Sequence, residues 1–296
     1  MSRVNKQTKK KTKSGKSEEN IPRYGLKQRT DDKRDIKVHQ LGGYFTQDIS
    51  FLPEEFIVSD SEVWDQGNTL FCTLFSMANS LTQSEGVKLS VEWFAKEATK
   101  KYGENWINEG LQQRQACKLA LKGALEASKV NHPLPQYGAE FVANPANYDT
   151  QQDQEALNHA QKAYVEIVPF KGLDLYDAIR WTIWEFRYEK RCPVIGTMWD
   201  GEWTNKTIIT RDGNPVGGHQ VFTNGWNKDG LIIQNSYGNI TPQGRHVFTR
   251  EMVNKRFSFG GVSMFVDMSA EEVERLKRRN SGSWWQWLLD FLSNWD

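Results

Sequence analysis

Four side chains of the sequence have the types and spacing that nucleophilic thiol chemistry requires. They are Gln66, Cys72, His219 and Asn235. A thiol nucleophile needs a raised thiolate fraction, a base, a group that orients the base, and donors for the oxyanion that develops during attack. Cys72 lies near the start of a predicted helix, whose free N–H groups stabilise an anion, and it follows a turn that contains Gly67. The sequence therefore predicts an activated cysteine, with the Gln66 amide six residues upstream able to point at the same place.

A base for Cys72 has to come from one of five histidines. His219 follows Gly217 and Gly218 and directly precedes a predicted strand, where the backbone could come close to a substrate. Asn235 ends the next predicted strand, 16 residues further on, and could orient the His219 ring across a hairpin. The other histidines lie in the N-terminal segment, in a loop before a proline, in a polar stretch and at the start of a late strand: His39, His132, His159 and His246. We therefore expect His219 to be the base and Asn235 to be its partner.

Two segments that contain these residues resemble the catalytic segments of the papain-like cysteine proteases. Residues 63–76, with the sequence VWDQGNTLFCTLFS, are similar to the nucleophile segment of that family. Residues 219–238 are similar to its His segment and to its Asn-Ser-Trp-Gly segment, which reads Asn-Ser-Tyr-Gly here. The resemblance extends over about residues 52–267, is weak in 84–191, and includes the strand at 193–196. Because both segments occur in the family's order and at matching separations, the resemblance implies a cysteine protease.

The resemblance also implies a role for each residue. Cys72 would be the nucleophile, and His219 would be the general base and then the acid that protonates the leaving amine. Asn235 would orient the His219 ring, and Tyr237 would cover their contact in place of the family's tryptophan. Gln66 and the Cys72 backbone N–H would form the oxyanion hole. The implied reaction is hydrolysis of peptide bonds in a polypeptide substrate, without a cofactor or a metal ion.

The substrate-binding part of the family pattern is less complete than the catalytic part. The resemblance places Gly217, Gly218 and Tyr237 at the substrate site. Residues 108–110 are the nearest candidate for the glycine wall that pairs with substrate backbone in the family. Thr69 stands where the family often has a disulfide-bonded cysteine. The resemblance thus implies a substrate cleft but not the residues that the cleft prefers.

Helices come first in the sequence and strands follow, which favours an α+β fold over a doubly wound parallel sheet. Apolar residues at helical spacing and capping residues predict helices over 69–81, 90–101, 112–128, 153–164 and 173–190. Strand-like runs bounded by Gly, Asn and Asp occur at 192–199, 220–224, 231–234, 246–250 and 262–267. The resemblance implies the two-lobed papain-like form of this class, with a helical lobe that holds the nucleophile helix and then an antiparallel sheet or barrel lobe.

The charge of the chain is unevenly distributed, although 38 basic side chains nearly balance 37 acidic ones. Residues 1–37 contain 13 Lys and Arg against five Asp and Glu, and few apolar side chains. Such a segment cannot offset the entropy of ordering, so we expect residues 1–40 to be a disordered basic tail. Its lysines at 9–11 are either solvated or a contact for nucleic acid or another anionic surface. In the 296-residue chain, we place the peptidase domain at residues 41–268.

Cysteine usage indicates a reducing compartment. The three cysteines, Cys72, Cys117 and Cys192, are widely spaced and odd in number, which predicts neither a disulfide framework nor a zinc cluster. We expect Cys117 and Cys192 to be core thiols. The N-terminal residues lack the apolar stretch of a secretory signal, and no apolar run reaches the ~20 residues of a membrane span. A cytoplasmic protein is therefore expected.

Residues 269–296 form a distinct C-terminal segment. Ser269 and Glu272 have the spacing of a capping box that opens a charged helix. The amphipathic segment that begins at Trp284 and ends at Trp295 would spread its apolar side chains over roughly 200° of a helical wheel. Three interpretations remain open: docking on the protein's own body or a sister subunit, an interfacial membrane anchor, or a partner-binding peptide.

Two hypotheses of different class follow for the whole chain. The first is a cytoplasmic cysteine endopeptidase. The second is a catalytically weak or inactive scaffold with the same fold, which bridges an anionic partner and a membrane or assembly through its two ends. Acyl or amide transfer is a third option, and it differs from the first only in whether water or an amine resolves the acyl-enzyme.

Overall fold

The computed structural model describes residues 24–30, 35–40, 48–130, 150–238, 244–269, 271 and 272. The helices are α1 (Cys72–Glu85), α2 (Val91–Tyr102), α3 (Trp106–Glu109), α4 (Gln113–Ala120), α5 (Thr150–Ala156), α6 (Leu175–Glu185) and α7 (Arg250–Arg256). The strands are β1 (Leu26–Lys27), β2 (Phe56–Ile57), β3 (Leu111–Gln112), β4 (Ala163–Glu166), β5 (Val194–Asp200), β6 (Ile208–Ile209), β7 (Pro215–Asn227), β8 (Gly230–Gln234), β9 (Arg245–Phe248) and β10 (Gly261–Val266). The α+β class expected from the sequence is confirmed. Within these residues, no helix combines the length and the apolar character needed to cross a membrane.

The first lobe is a group of helices around a hydrophobic core. Helix α1 is buried on all sides over residues 72–81, and Leu74, Met77, Ala78 and Leu81, at three- and four-residue steps, belong to the core of this lobe. Helix α2 begins where the Ser90 hydroxyl accepts a hydrogen bond from the Trp93 N–H at 3.0 Å. The sheet adds side chains to this core, among them Val194, Phe222 and Phe265. The helical lobe therefore packs directly on one face of the sheet.

The second lobe is built on a sheet with the strand order β4–β10–β5–β7–β8–β9–β6, and β2 also pairs with β7. Neighbouring strands in this sheet are antiparallel, except that β6 and β9 are parallel. The longest of these strands, β7, is buried from Gly218 to Trp226. Gln234 at the end of β8 lies opposite Phe222 of β7, so the chain that follows β8 runs beside the first half of β7.

A second hydrophobic core belongs to the sheet lobe. It includes side chains of α6 and α7, which pack on the strands. The large buried aromatic residues of this core include Trp199, Trp203, Trp226 and Phe248. Two separate clusters of buried side chains, one for each lobe, correspond to the two-lobed form that the resemblance implied.

Several predicted elements have different limits in the structure. Tyr164 was predicted to end a helix, but it lies in β4 opposite Phe265 of β10. The helix predicted over 112–128 ends at Ala120, and the chain then turns so that the Ala124 N–H donates to the Ala156 carbonyl oxygen at 2.9 Å. The strand predicted over 246–250 ends before Thr249, which is the N-cap of α7. In the first two cases, pairing with a segment distant in sequence overrides the local pattern.

Two parts of the predicted basic tail lie on the body of the protein. Strand β1 pairs in parallel with β3, and Leu26 is buried there. Ile36 and Val38 join the core of the sheet lobe. The disorder expected for residues 1–40 therefore does not hold for 24–30 and 35–40, because their few apolar side chains have buried sites. Residues 1–23 lie outside the described residues, and the domain limits of 41–268 stay a prediction.

The C-terminal segment is described only at its start. The Ser269 N–H donates to Oε2 of Glu272 at 2.9 Å, and the Glu272 N–H donates to the Ser269 hydroxyl at 3.2 Å. These are the reciprocal bonds of the capping box that the sequence indicated. The segment from Trp284 to Trp295 lies outside the described residues, so its three interpretations stay open.

Candidate active site

Cys72 is the first residue of α1, and its side chain is fully buried. Burial raises the pKa of the thiol to about 11. Backbone groups of Gln220, Gly25 and Thr73 lie within hydrogen-bonding reach of the sulfur and lower the pKa in part. The thiol thus has the helix-terminal position expected of a nucleophile, but in this arrangement it is protonated at neutral pH.

His219 lies in β7 and is fully buried. Its Nε2 is 2.9 Å from Oδ1 of Asn235. The backbone N–H of Ser236 also donates to that oxygen, at 2.7 Å. Because an amide oxygen only accepts, Nε2 carries the ring proton and Nδ1 keeps a lone pair. This Nδ1 has no hydrogen-bond partner among the described residues, so the ring is held through one nitrogen while the other is unpaired.

The electrostatics of His219 follow from its burial. Burial lowers the pKa of the ring to about 3, a shift that the Asn235 bond opposes and His246 increases. A buried imidazole without a nearby anion is neutral at neutral pH. His219 is therefore available as a proton acceptor.

Helix α1 and strand β7 meet at the junction of the two lobes, and this contact brings Cys72 and His219 to the same region. Gln220, which follows His219, contacts the Cys72 thiol through its backbone. The Gln220 side chain donates from Nε2 to the Thr73 carbonyl oxygen at 3.5 Å. The structure thus brings together the thiol, imidazole and amide that the sequence singled out.

Gln66 is buried in the loop before α1 and joins this loop to the segment after β8. Its backbone N–H donates to the Ser236 carbonyl oxygen at 2.7 Å, and its Oε1 accepts from the Ser236 hydroxyl at 2.6 Å. Its Nε2 donates to the Thr69 carbonyl oxygen at 2.8 Å. The loop then turns at Gly67, whose φ of 55° is unfavourable for other residues. These bonds place the Gln66 amide between the nucleophile loop and the neighbour of Asn235.

Aromatic rings surround the imidazole, and Tyr24 of the N-terminal part is one of them, with its ring centroid 6.0 Å away. Tyr237 stacks on His219 with ring centroids 4.6 Å apart, and Trp199 lies edge-on at 5.1 Å. Tyr237 therefore covers His219 as the resemblance implied. Trp199 escaped the sequence reasoning, since its position in a predicted strand gave no sign that the ring would reach across to β7.

Residues 24–30, which we call the strap, run through the cleft between the lobes. On one side, the Leu111 N–H donates to the Gly25 carbonyl oxygen at 2.9 Å. On the other side, a Cβ at Gly218 would overlap the Leu26 carbonyl oxygen. The strap also approaches the loop before α1 so closely that only glycine fits at position 25, because a Cβ there would overlap the Leu70 carbonyl oxygen. The strap thus occupies the space between the two walls.

These contacts identify the walls of the cleft. Gly110 lies against the Gly25 backbone, so the candidate wall at residues 108–110 does border the cleft. Gly217 lies against the Tyr24 side chain, as Gly218 lies against Leu26. Sequence reasoning missed Tyr24 and Gly25, which lie in a charged segment without a local signature.

The strap is held by ion pairs and backbone contacts. Arg29 pairs with the buried carboxylate of Glu166, which also pairs with Lys37. Lys27 pairs with Glu109 at the surface, at 2.8 Å. The Arg29 N–H donates to the Phe259 carbonyl oxygen at 3.2 Å. Both ends of the strap therefore have specific partners on the body of the protein.

The other two cysteines are buried in other parts of the structure. Cys117 lies in α4 and Cys192 precedes β5. Burial raises the pKa of Cys117 to about 12 and raises that of Cys192 still further. Both are core thiols, as the sequence predicted.

The comparisons with known proteins bear on the fold. No protein-family model matches the chain, and no curated protein does. The structure of xylellain, a cysteine protease from Xylella fastidiosa, matches with a TM-score of 0.64 and 16% identity, over 86% of this chain and 100% of that one. Procathepsin B S9 from Trypanosoma congolense matches with a TM-score of 0.58 and 13% identity, over 81% and 85%. The Carica candamarcensis cysteine protease CMS1MS2, in complex with E-64, matches with a TM-score of 0.53 and 13% identity, over 72% and 98%. The chain has the fold of the papain-like cysteine proteases.

Proposed function

We propose that the chain is a cysteine endopeptidase in which Cys72, His219 and Asn235 act together. The observation that carries the proposal is the His219 ring, which is held by Asn235 through Nε2, has an unpaired Nδ1, and directly precedes Gln220, whose backbone contacts the Cys72 thiol. A buried histidine with one nitrogen fixed and the other unpaired is a costly arrangement for structure alone. It has the form that a general base next to a nucleophile requires.

The proposed reaction proceeds through an acyl-enzyme. The thiol proton of Cys72 passes to Nδ1 of His219, and the sulfur attacks the carbonyl carbon of the scissile peptide bond. The Cys72 backbone N–H and the Gln66 amide donate to the oxyanion. His219 then gives its proton to the leaving amine as the carbon–nitrogen bond breaks. Water then attacks the thioester with His219 as base, the carbon–sulfur bond breaks, the acid is released, and His219 returns the proton to the Cys72 sulfur.

Substrate can enter the cleft only after the strap has left it, because the strap passes between the same walls. Departure of the strap admits water to Cys72 and His219. Since burial is the main cause of both pKa shifts, hydration lowers the pKa of the thiol and raises that of the imidazole. The described arrangement is thus a resting form, and the thiolate–imidazolium pair belongs to the open form.

The test is cleavage of a peptide library by the purified full-length protein. We expect the Cys72→Ala variant to lose activity by about 10⁴-fold or more. Cys117→Ala is the matched control for the loss of a buried thiol, and we expect it to keep its rate within about threefold. Cleavage that persists at the parent rate in Cys72→Ala would exclude the proposal.

A second readout does not depend on the choice of peptide. Iodoacetamide should alkylate Cys72 faster than Cys117 near neutral pH, because opening of the cleft exposes Cys72, at a helix N-terminus and with His219 as base, whereas Cys117 stays in the core. Equal rates for the two thiols would show that Cys72 is not activated.

The remaining expectations stay predictions. The scaffold hypothesis, nucleic-acid contact and membrane contact depend on residues 1–23 and on the segment from Trp284 to Trp295, which are outside the described residues. Cytoplasmic location and the choice between water and an amine as acyl acceptor are likewise untested. The peptide-library assay with added amine nucleophile separates hydrolysis from transfer.

A further inference from the structure

A second buried histidine lies directly behind Asn235. His246 is the second residue of β9, where it pairs with Ile233 of β8, and its side chain is fully buried. Its Nδ1 is 2.7 Å from the Lys206 carbonyl oxygen, and its Nε2 is 3.3 Å from Nδ2 of Asn235. The proposed reaction does not use this histidine.

The partners of His246 decide which of its nitrogens carries the proton. A backbone carbonyl oxygen can only accept, so Nδ1 of His246 donates to Lys206. In the neutral ring, Nε2 then carries a lone pair that accepts from the Asn235 amide. Burial lowers the pKa of His246 to about 4, which keeps the ring neutral at neutral pH.

The Asn235 amide is thereby held at both ends. Its oxygen accepts from the Ser236 N–H and from Nε2 of His219, and its nitrogen donates to His246. Every bond along the line from Lys206 through His246 and Asn235 to His219 has one donor and one acceptor. A rotation of the amide by 180° would place donors against the Ser236 N–H and against the proton of His219.

Trp199 completes the enclosure of both imidazoles. Its ring centroid lies 5.1 Å from that of His219 and 5.2 Å from that of His246, edge-on in each case. His219, His246 and Trp199 are all fully buried. Water therefore does not compete for the hydrogen bonds of Asn235, and the choice of amide orientation depends on the protein groups alone.

We propose that His246 is a positioning residue for the peptidase reaction. It fixes the Asn235 amide with its oxygen toward His219, and so holds His219 as the tautomer whose lone pair is on Nδ1, the nitrogen that the proposed reaction uses as base. This proposal rests on the proposed function and assigns no contact between His246 and the substrate. It predicts that the acceptor at Nε2 of His246, and not the bond to Lys206, governs the reaction rate.

Two substitutions separate these bonds. An asparagine at position 246 places its amide near the position of the His246 Nδ1 and keeps the donor to Lys206. A glutamine at position 246 reaches the position of Nε2 and keeps an acceptor for Asn235. We expect His246→Asn to lower kcat about three- to tenfold with KM changed less than about twofold. We expect His246→Gln to keep a larger share of kcat than His246→Asn. A larger loss in His246→Gln would mean that the Lys206 bond matters and would overturn the proposal.

A double-mutant cycle controls for damage to the fold. In an Asn235→Ala background, His246→Asn should lower kcat by less than about twofold more, because its effect passes through the missing amide. Independent, additive losses would show that His246 acts by another route. His159→Asn removes a histidine of the helical lobe that contacts Glu85 instead of the site, and it should leave kcat unchanged.

The ring protons can also be observed without turnover. With ¹⁵N-labelled histidine, NMR of the parent protein should show His219 protonated at Nε2, and His246→Asn should give a mixture of tautomers. A parent ring protonated at Nδ1 would overturn the positioning role even if the protein is active. The expected tautomers in a protein that cleaves no peptide would refute the endopeptidase and leave the positioning arrangement standing.

Discussion

At the scale of residues, three groups at the site are neutral for one physical reason. Cys72, His219 and His246 are buried where water cannot stabilise a charge, so the pKa of the thiol is raised and the pKa of each ring is lowered. Neutral forms of these groups fit the strap-occupied cleft. The same burial must weaken as the cleft opens, so the reactivity of Cys72 is coupled to access of water.

The buried histidines predict how stability depends on pH. The pKa values of His219 and His246 in the folded protein, about 3 and about 4, lie below their ordinary value of 6.5. Between these values the unfolded chain binds protons that the folded chain does not. The stabilisation is therefore present above pH 6.5 and is lost as the pH falls toward the folded values, with a slope of about 1.4 kcal/mol per pH unit for each ring.

Urea unfolding between about pH 7 and pH 5 measures this slope. His246→Gln should reduce the slope of the unfolding free energy against pH by the contribution of one ring. Carboxylates contribute equally to the slopes of parent and variant. Identical slopes in the two proteins would show that His246 is not held neutral by the fold.

The site residues that the sequence indicated belong to short segments with recognisable patterns, whereas the roles of the site residues that it missed depend on contacts that no such pattern shows. Cys72 and Gln66 belong to one local segment, and His219 and Asn235 belong to one hairpin, so short patterns were enough to find them. The role proposed for His246 depends instead on its contact with the Asn235 amide and on the direction of its hydrogen bonds, one of which joins it to the Lys206 carbonyl 40 residues away. Residue types alone carry no information on that direction.

At the scale of elements, the strap shows the same limit. The strap contains β1, which has only two residues and pairs with β3, a strand distant in the sequence. A strand this short has no periodic pattern from which it could be predicted. The charge of residues 1–37 favoured disorder, yet Leu26, Ile36 and Val38 find buried sites. The existence of α1 and β7, by contrast, was predicted from local patterns, although their limits differ: α1 runs over Cys72–Glu85 instead of 69–81, and β7 runs over Pro215–Asn227 instead of 220–224, so that His219 lies inside the strand and not before it.

A substitution that displaces the strap should give a protein with a more open cleft. Gly25→Ala introduces a Cβ that overlaps the Leu70 carbonyl oxygen, so it should displace the strap and raise the initial peptide-cleavage rate by about tenfold. Gln28→Ala, at an exposed position of the strap, is the matched control and should leave the rate unchanged. Iodoacetamide labelling of Cys72 should rise in parallel. A lower or unchanged rate of both cleavage and labelling in Gly25→Ala would contradict this role.

At the scale of the whole molecule, the two lobes share a sheet. Val194, Phe222 and Phe265 belong to strands but complete the core of the helical lobe. Ser80 of α1 also donates to the Cys192 carbonyl oxygen at 2.5 Å, next to β5. The helical lobe therefore has no complete core without the sheet.

The shared core predicts that both lobes unfold in one transition. Phe222→Ala removes a fully buried ring from the helical core and should lower the free energy of unfolding by about 3–5 kcal/mol. NMR signals of α2 in the helical lobe and of β8 in the sheet lobe should be lost at the same urea concentration as each other, in the parent and again, at a lower concentration, in the variant. Separate midpoints for the two signals would show that the lobes are independent.

The position of the strap has a consequence for the kinetics of any substrate. The strap is tethered to the cleft that it fills, and a tethered segment acts at an effective concentration in about the millimolar range when its linker is short and flexible. A peptide free in solution competes against that concentration, whereas a substrate held nearby by a second contact does not. Good and poor substrates of this protein would then differ in how strongly their cleavage rate falls when the substrate is diluted, and not only in the side chains that the cleft prefers.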